Sequence, residues 1–341
     1  MISIDYHDDL KEVQGDAALV ALLSAPAAAA PFDRLAWWQG LVDECDMFPL
    51  IAVARDGKAR AALPLYRVKR RVEALANWYS FRVSPILSPG ADHAALLTEM
   101  ARDLAGEAPR IVLTPLPDEN GETTLLAEAF SRAGWVVFRE ICDTNHVLHV
   151  AGRSFDDYLA SRPGPLRTTL KRKAAKVTVS IERHFNPASW QTYENIYAQS
   201  WKPGEGSPAF LRRFAEEEGA AGRIRLGIAC ADGEPVAAQF WTVENGTAFI
   251  HKLAHLESAK PLSPGTSLSA ALFRRVIDLD KVALVDFGTG NDAYKRDWME
   301  DVRPRFRLDM MRAGWPGNWP LLVRATAKAV YRRLAPGRNH G

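Results

Sequence analysis

The sequence has no excess of one charge: 43 Lys and Arg stand against 41 Asp and Glu, a formal net charge of +2. Bulk electrostatic attraction to nucleic acid is excluded as the basis of function, so any basic site must be local and no nucleic-acid partner is expected. Cysteine is scarce. Cys45, Cys142 and Cys230 lie far apart without metal-ligand spacing, which reads as reduced thiols of a cytoplasmic protein and not as a disulfide framework. The 8 histidines are scattered and no pair has a third ligand nearby, so no metal is expected. Long apolar runs are missing too. The most apolar early stretch, 17–32, contains Pro26 and Pro31 and ends at Asp33, and the opening MISIDYHDDLKEV has no basic segment. Neither a membrane span nor a signal peptide is expected. What is present, 47% hydrophobic and 25% charged residues, is ordinary for a folded globular chain. Its length suits two domains, each with its own core.

An internal repeat supports that division. Ile2-Ser3-Ile4-Asp5 resembles Val179-Ser180-Ile181-Glu182, both alternating as half-buried strands do. Asp56-Gly57 and Asp232-Gly233 each sit between apolar runs, the signature of a β-hairpin, and Ala61-Ala62 falls onto Ala237-Ala238. Ser88-Pro89-Gly90 matches Ser263-Pro264-Gly265, each opening a helical stretch that ends in Asp-Leu and is followed by a short buried-strand pattern. Three matches in order predict two copies of one unit: strand, helix, hairpin, strand, loop, helix, strand. The expected division is 1–150 for the first copy, 151–315 for the second, and 316–341 for a basic amphipathic helix and tail.

A loop containing Pro-Gly that feeds directly into a helix offers free backbone N–H groups and a positive dipole end, which suit a phosphate. In the second copy that loop is Leu262 to Leu268, with Ser263, Thr266 and Ser267 as further donors. In the first copy Asp92 follows Gly90-Ala91, where it caps its own helix and repels an anion. A phosphate site is therefore expected in the second copy only.

The second copy resembles the acetyltransferase domain of the Gcn5-related (GNAT) superfamily, in the branch of cellulose-biosynthesis acetyltransferases and the Fem peptidyltransferases. The resemblance spans about residues 155 to 310. It rests on Ser200-Trp201-Lys202, Asp232-Gly233 with Ala237-Ala238, Ser263-Pro264-Gly265, and Asp286-Phe287-Gly288 followed by Tyr294-Lys295-Arg296-Asp297-Trp298. It implies an α/β (α+β) chain of two tandem acyl-CoA N-acyltransferase-like domains, each a mixed twisted sheet flanked by helices, the first degenerate. By the same resemblance acyl-CoA is the co-substrate, with Ser263, Gly265, Thr266, Ser267 and Leu268 at its pyrophosphate. The strand from Thr247 to Leu253 lies along its pantetheine arm, and the acceptor lies between the domains. The turn lacks the Gln or Arg that precedes the first glycine in simpler members.

Acyl transfer needs a neutral amine, a donor for the oxyanion and an acid for the thiolate. Tyr294 is assigned as that acid, Lys295 as the holder of an anionic group, and His255 as the base, with His251 on the same face if the strand stays regular. Each of these also has a structural reading as a packed or hydrogen-bonded residue. Trp201, Lys202 and Trp298 are expected to wall the acceptor cleft. Arg167 and Lys171, one turn apart on a basic helix, are expected to meet an acidic, amine-bearing envelope or polysaccharide precursor, unless that face is merely solvated. The C-terminal helix, with Arg324, Lys328, Arg332 and Arg333, is expected to dock on the second domain. Its alternative is a weak peripheral membrane contact aided by Trp315 and Trp319.

Two rival motifs fail. Gly288-Thr289-Gly290-Asn291-Asp292-Ala293 matches a dinucleotide fingerprint, but too little chain follows for the remaining strand-helix units. Asp286-Phe287-Gly288 lacks the companion kinase loops. Two alternatives stay open: a Fem-like transferase using aminoacyl-tRNA, and a non-catalytic ligand-binding protein.

Overall fold

The computed structural model describes residues 1–334, with side chains through Lys328. Two compact units emerge, one of residues 1–142 with the described residues from 304 onward and the other of residues 143–303.

In the first unit β1 (Ser3–His7), β2 (Pro49–Asp56), β3 (Ala59–Val68) and β4 (Arg71–Ala74) pair antiparallel in that order, and a short β5 (Ile86–Leu87) adds to β3. β6 (Arg110–Leu116) joins β4 in parallel. Ala52, Ala54, Ala61, Leu63 and Leu65 of β2 and β3 are fully buried, packed with Leu97, Met100 and Leu104 of helix α1 (His93–Glu107) and Phe130 of helix α2 (Glu122–Arg132). The core thus forms where the sheet's apolar face meets helical stripes of period 3.6.

The chain enters the second unit along β7 (Val136–His149), whose last residues, from Asn145, pair with β12. The order of the first unit then recurs. β8 (Thr178–Glu182), β9 (Ile224–Ala231), β10 (Glu234–Glu244) and β11 (Thr247–His255) pair antiparallel, and β12 (Leu284–Thr289) joins β11 in parallel. Helices α3 (Gly164–Lys173), α4 (Pro187–Ala198), α5 (Pro208–Ala220) and α6 (Pro264–Arg274) flank this sheet. Gly227 is required by the packing of α6, because a Cβ there would lie 2.8 Å from Leu268 Cδ1. Each unit is therefore a mixed sheet flanked by helices, the tandem α/β arrangement expected.

Two irregularities of β11 shape the second unit. Its pairing with β12 covers only Thr247–Phe249 against Leu284–Asp286, although β11 runs on to His255. Opposite the shift between Phe240 and Trp241 of β10, β11 carries His251 as an extra residue.

β13 (Asp301–Met311) returns the chain to the first unit, where Phe306–Met311 pair with β6. Helix α7 (Trp319–Leu334) follows it there. The expectation that the C-terminal segment docks on the second domain is thus corrected. Asn318 Nδ2 donates to the carbonyls of Pro109 (2.7 Å) and Arg312 (3.0 Å), and Lys328 Nζ to Glu140 (2.6 Å), all within the first unit. The backbone acceptor of the loop before β6 decides the matter, and residue types alone do not reveal it. Arg332 and Arg333 lie outside the described side chains.

Candidate active site

Where β11 parts from β12, the second unit holds a cavity of about 240 Å³. β10 and β11 contribute Gln239, Leu253 and His255; β12 contributes Phe287; and the first turn of α6 contributes Gly265 and Thr266. Trp201, Leu166, Tyr294, Asp297 and Trp298 complete the lining. Gln239 and Leu253 are register partners, as are Ala237 and His255, so the cavity face follows from strand alternation.

His255 stacks on Trp201 at 4.3 Å between ring centres, and its Nδ1 lies 3.1 Å from the Leu256 carbonyl. A carbonyl only accepts, so Nδ1 is the donor, and in the neutral ring the lone pair that a base needs is then on Nε2. His251 does not share this face, because the extra residue in β11 breaks the alternation. Its Nε2 bonds to Thr242 Oγ1 (2.8 Å) and its ring packs against Phe214 and Phe240.

The N-terminus of α6 is left open. Ser263, at the N-cap with φ +52°, provides no side-chain cap, Pro264 has no N–H, and Ser267 N–H is used by the Ser263 carbonyl. The N–H groups of Gly265 and Thr266 belong to the first turn, where a helix supplies no partner. In the first unit, by contrast, Asp92 Oδ1 caps α1 by accepting from Ala95 N–H at 3.0 Å. Of the residues assigned to the pyrophosphate, Ser267 and Leu268 do not reach the cavity. Ser267 Oγ donates back to the Ser263 carbonyl, and Leu268 is fully buried in the core. Ser263 Oγ instead accepts from Lys173 Nζ at 3.1 Å.

Tyr294 packs against Phe287 at 5.7 Å between ring centres and hydrogen-bonds Asp292. Burial and the Asp292 carboxylate push its hydroxyl far above the ordinary phenol value, so it remains protonated. Lys295 departs from its assignment. It is 4% exposed, and Nζ donates to the carbonyls of Thr289 and Gly288, clasping the turn whose glycines Gly288 and Gly290 have φ of +67° and +94°. Asp286 supports the same turn, accepting from Gly288 N–H (2.8 Å) and Asn145 Nδ2 (2.6 Å). Burial lowers the Lys295 pKa, opposed by Asp292, Asp143 and Asp286. An ammonium on backbone carbonyls has no face for an anion in the cavity.

Trp298 lines the cavity from the core, stacked on Phe273 at 4.8 Å and nearly parallel. Trp201 is 46% exposed, and Lys202 Nζ lies 5.4 Å from its ring centre. Arg167 and Lys171 point to solvent, because α3 turns Leu166 and Leu170 inward and the basic residues fall on its other face. Three participants were missed by sequence reasoning: Gln239, which bonds to the Gly265 carbonyl and Ser269 Oγ; Lys173; and Asp297. Only Asp297 carried a signal, its place within the Tyr294–Trp298 motif.

Residues 153–296 match the model of the acetyltransferase (GNAT) domain. No protein of curated function matches the sequence. FemX is similar in structure over 90% of this chain and 96% of its own, with a TM-score of 0.61 at 10% identity. The C-terminal domain of a putative lysylphosphatidylglycerol synthetase from Agrobacterium fabrum covers 94% of this chain and 97% of its own, with a TM-score of 0.58 at 12% identity. A tandem GNAT protein from the clavulanic acid biosynthesis pathway covers 90% and 98%, with a TM-score of 0.52 at 14% identity. At these identities the structural likenesses speak to the fold. The protein is an enzyme of the acyltransferase class. Its residues 153–296 carry the match to the GNAT domain, and the chain as a whole shares its fold with FemX.

Proposed function

We propose that the second unit takes an acyl group from acyl-CoA and transfers it to an amine of a cell-envelope or polysaccharide precursor. The observation that carries the donor is the uncapped first turn of α6. Two partnerless N–H groups, with Lys173 alongside, face a cavity whose strands have parted, a suitable seat for a pyrophosphate. The acceptor class follows the resemblance to Fem transferases and to a domain named for a lysyl-bearing phospholipid.

In this reading Asp297 holds the acceptor's ammonium at the mouth. Once neutral, the nitrogen attacks the thioester carbonyl carbon and His255 Nε2 accepts its proton. The C–S bond breaks, the electron pair leaves on sulfur with the Tyr294 hydroxyl hydrogen-bonded to it, and the proton taken up by His255 passes to the thiolate, giving amide and free thiol. Because its pKa is raised, Tyr294 serves best as a fixed hydrogen-bond donor to the developing charge.

The test is thiol release from acetyl-CoA and longer acyl-CoAs in the presence of amine-bearing envelope precursors. Amine-dependent release that His255→Ala abolishes supports the reading. Transfer from charged tRNA, with acyl-CoA inert, overturns the donor.

A further inference from the structure

The first unit holds a larger cavity, about 540 Å³, and none of its lining residues belongs to the acyl-donor site. Its rim is the β3–β4 turn, where Lys69 adopts φ +54° and presents Lys69, Arg70 and Arg71 together. Trp315 and Asn318 share the lining, Asn318 being pinned on the Pro109 carbonyl.

Not all the cations here are available. Arg110 is held by Asp309 through two bonds of 2.8 and 2.6 Å, Arg67 by Glu107 at 2.5 Å, and Arg71 by Glu73. Among the described residues Lys69 and Arg70 have neither an ion pair nor a hydrogen bond, and both are exposed. Trp315, in the same lining, is exposed as well, and α7 carries two exposed apolar residues on the side away from Leu321. Trp315 is 50% exposed, Trp319 59% and Val323 69%, the last two one turn apart on α7.

We propose that this face of the first unit docks on an anionic membrane surface. Lys69 and Arg70 meet lipid phosphates, a headgroup enters the cavity, and Trp315 lies at the level of the headgroups. Cations around an interfacial Trp suit such a surface, since anionic lipid attracts basic residues while the indole has one apolar and one polar side. A soluble phosphate ligand would account for the cavity and the two cations. It would not call for the half-exposed indole of Trp315 in the same lining as the cations.

The proposal is independent of the catalytic reading and is tested by cosedimentation of the full chain with vesicles. Binding to phosphatidylglycerol-containing vesicles should exceed binding to pure phosphatidylcholine and fall with added salt. Lys69→Ala with Arg70→Ala should weaken it about 30-fold, about fivefold per cation removed, with unfolding temperature and thiol release as in the wild type. Trp315→Ala should weaken binding without changing the salt dependence. Equal binding to both vesicles, or full binding by the double variant, overturns the proposal. So does protection by inorganic pyrophosphate, or retention on single-stranded oligonucleotide, without vesicle binding.

Discussion

Gly265 separates the donor site from the stability of the fold. Its φ is not positive, so an L-residue is accepted by the backbone, and a Cβ would meet only His255 Cδ2, at 3.3 Å. Gly265→Ala should therefore be neutral or slightly stabilising, since alanine gains up to about 1 kcal/mol over glycine in a helix. To relieve the contact, His255 must yield by a few tenths of an ångström, and Trp201 stacked on it must follow. A shift of about 1 Å costs about 10²-fold in rate, so a loss of about tenfold in kcat/KM is expected with the melting temperature held. Gly265→Asp adds a carboxylate where an anion is to sit. One unit charge opposing another at about 4 Å is worth about 4 kcal/mol at an effective dielectric of 20, or about 10³-fold in affinity. Gly90→Asp, at the matching turn of the first unit where φ is +74°, should strain the backbone yet leave coenzyme A binding intact. Titration calorimetry with coenzyme A decides. Wild-type affinity in Gly265→Asp, or lost affinity in Gly90→Asp, refutes the donor assignment.

Tyr294→Phe should lower kcat by about 10²-fold with little change in KM; full kcat with a lower melting temperature would make it a packing residue only. Lys295→Met should destabilise by about 1–3 kcal/mol, through the orphaned carbonyls of Gly288 and Thr289, with coenzyme A affinity unchanged. Weakened affinity at unchanged urea midpoint would restore it to ligand binding. Glu300 is held below its ordinary value of 4.5 by Arg153, with Arg162 assisting. A carboxyl depressed in the folded state stabilises above its unfolded value and loses that contribution as pH falls through the folded one. The stability of the wild type over Glu300→Gln should then shrink on acidification below 4.5, and a gap independent of pH would exclude the linkage.

What was legible in the sequence is what short-range chemistry decides. Asp56-Gly57 and Asp232-Gly233 join β2 to β3 and β9 to β10, with positive φ at Gly57, Asp232 and Gly233, as tight turns between twisted strands require. The capping role of Asp92 was legible for the same reason. Illegible features depend on partners distant in the chain. No local pattern marks His251 as the extra residue of β11, since the bulge exists only relative to β10. Leu268 and Lys295 have the pattern of loop and helix-start residues, yet one fills the space above Gly227 and the other ties the carbonyls of its own turn. Lys173 could not be told from Lys171 until α3 was seated by Leu166 and Leu170, which selects the one cation that reaches Ser263.

In the proposed reading the two units differ in function through one local choice. Each carries a helix that begins at or shortly after a Ser-Pro-Gly sequence, and each first turn must satisfy N–H groups. The first unit satisfies one with its own carboxylate, and the negative charge of Asp92 then closes that position to anions. The second unit places at its N-cap a serine in the left-handed region whose hydroxyl faces Lys173, so its positive end stays unneutralised and a cation is added. Leaving a helix end open in this way costs stability unless something occupies it. A ligand that supplies the missing acceptors is therefore bound with part of its desolvation already met by the protein. The proposed donor site accordingly rests on α6 and not on the cavity's aromatic walls, which serve packing equally well.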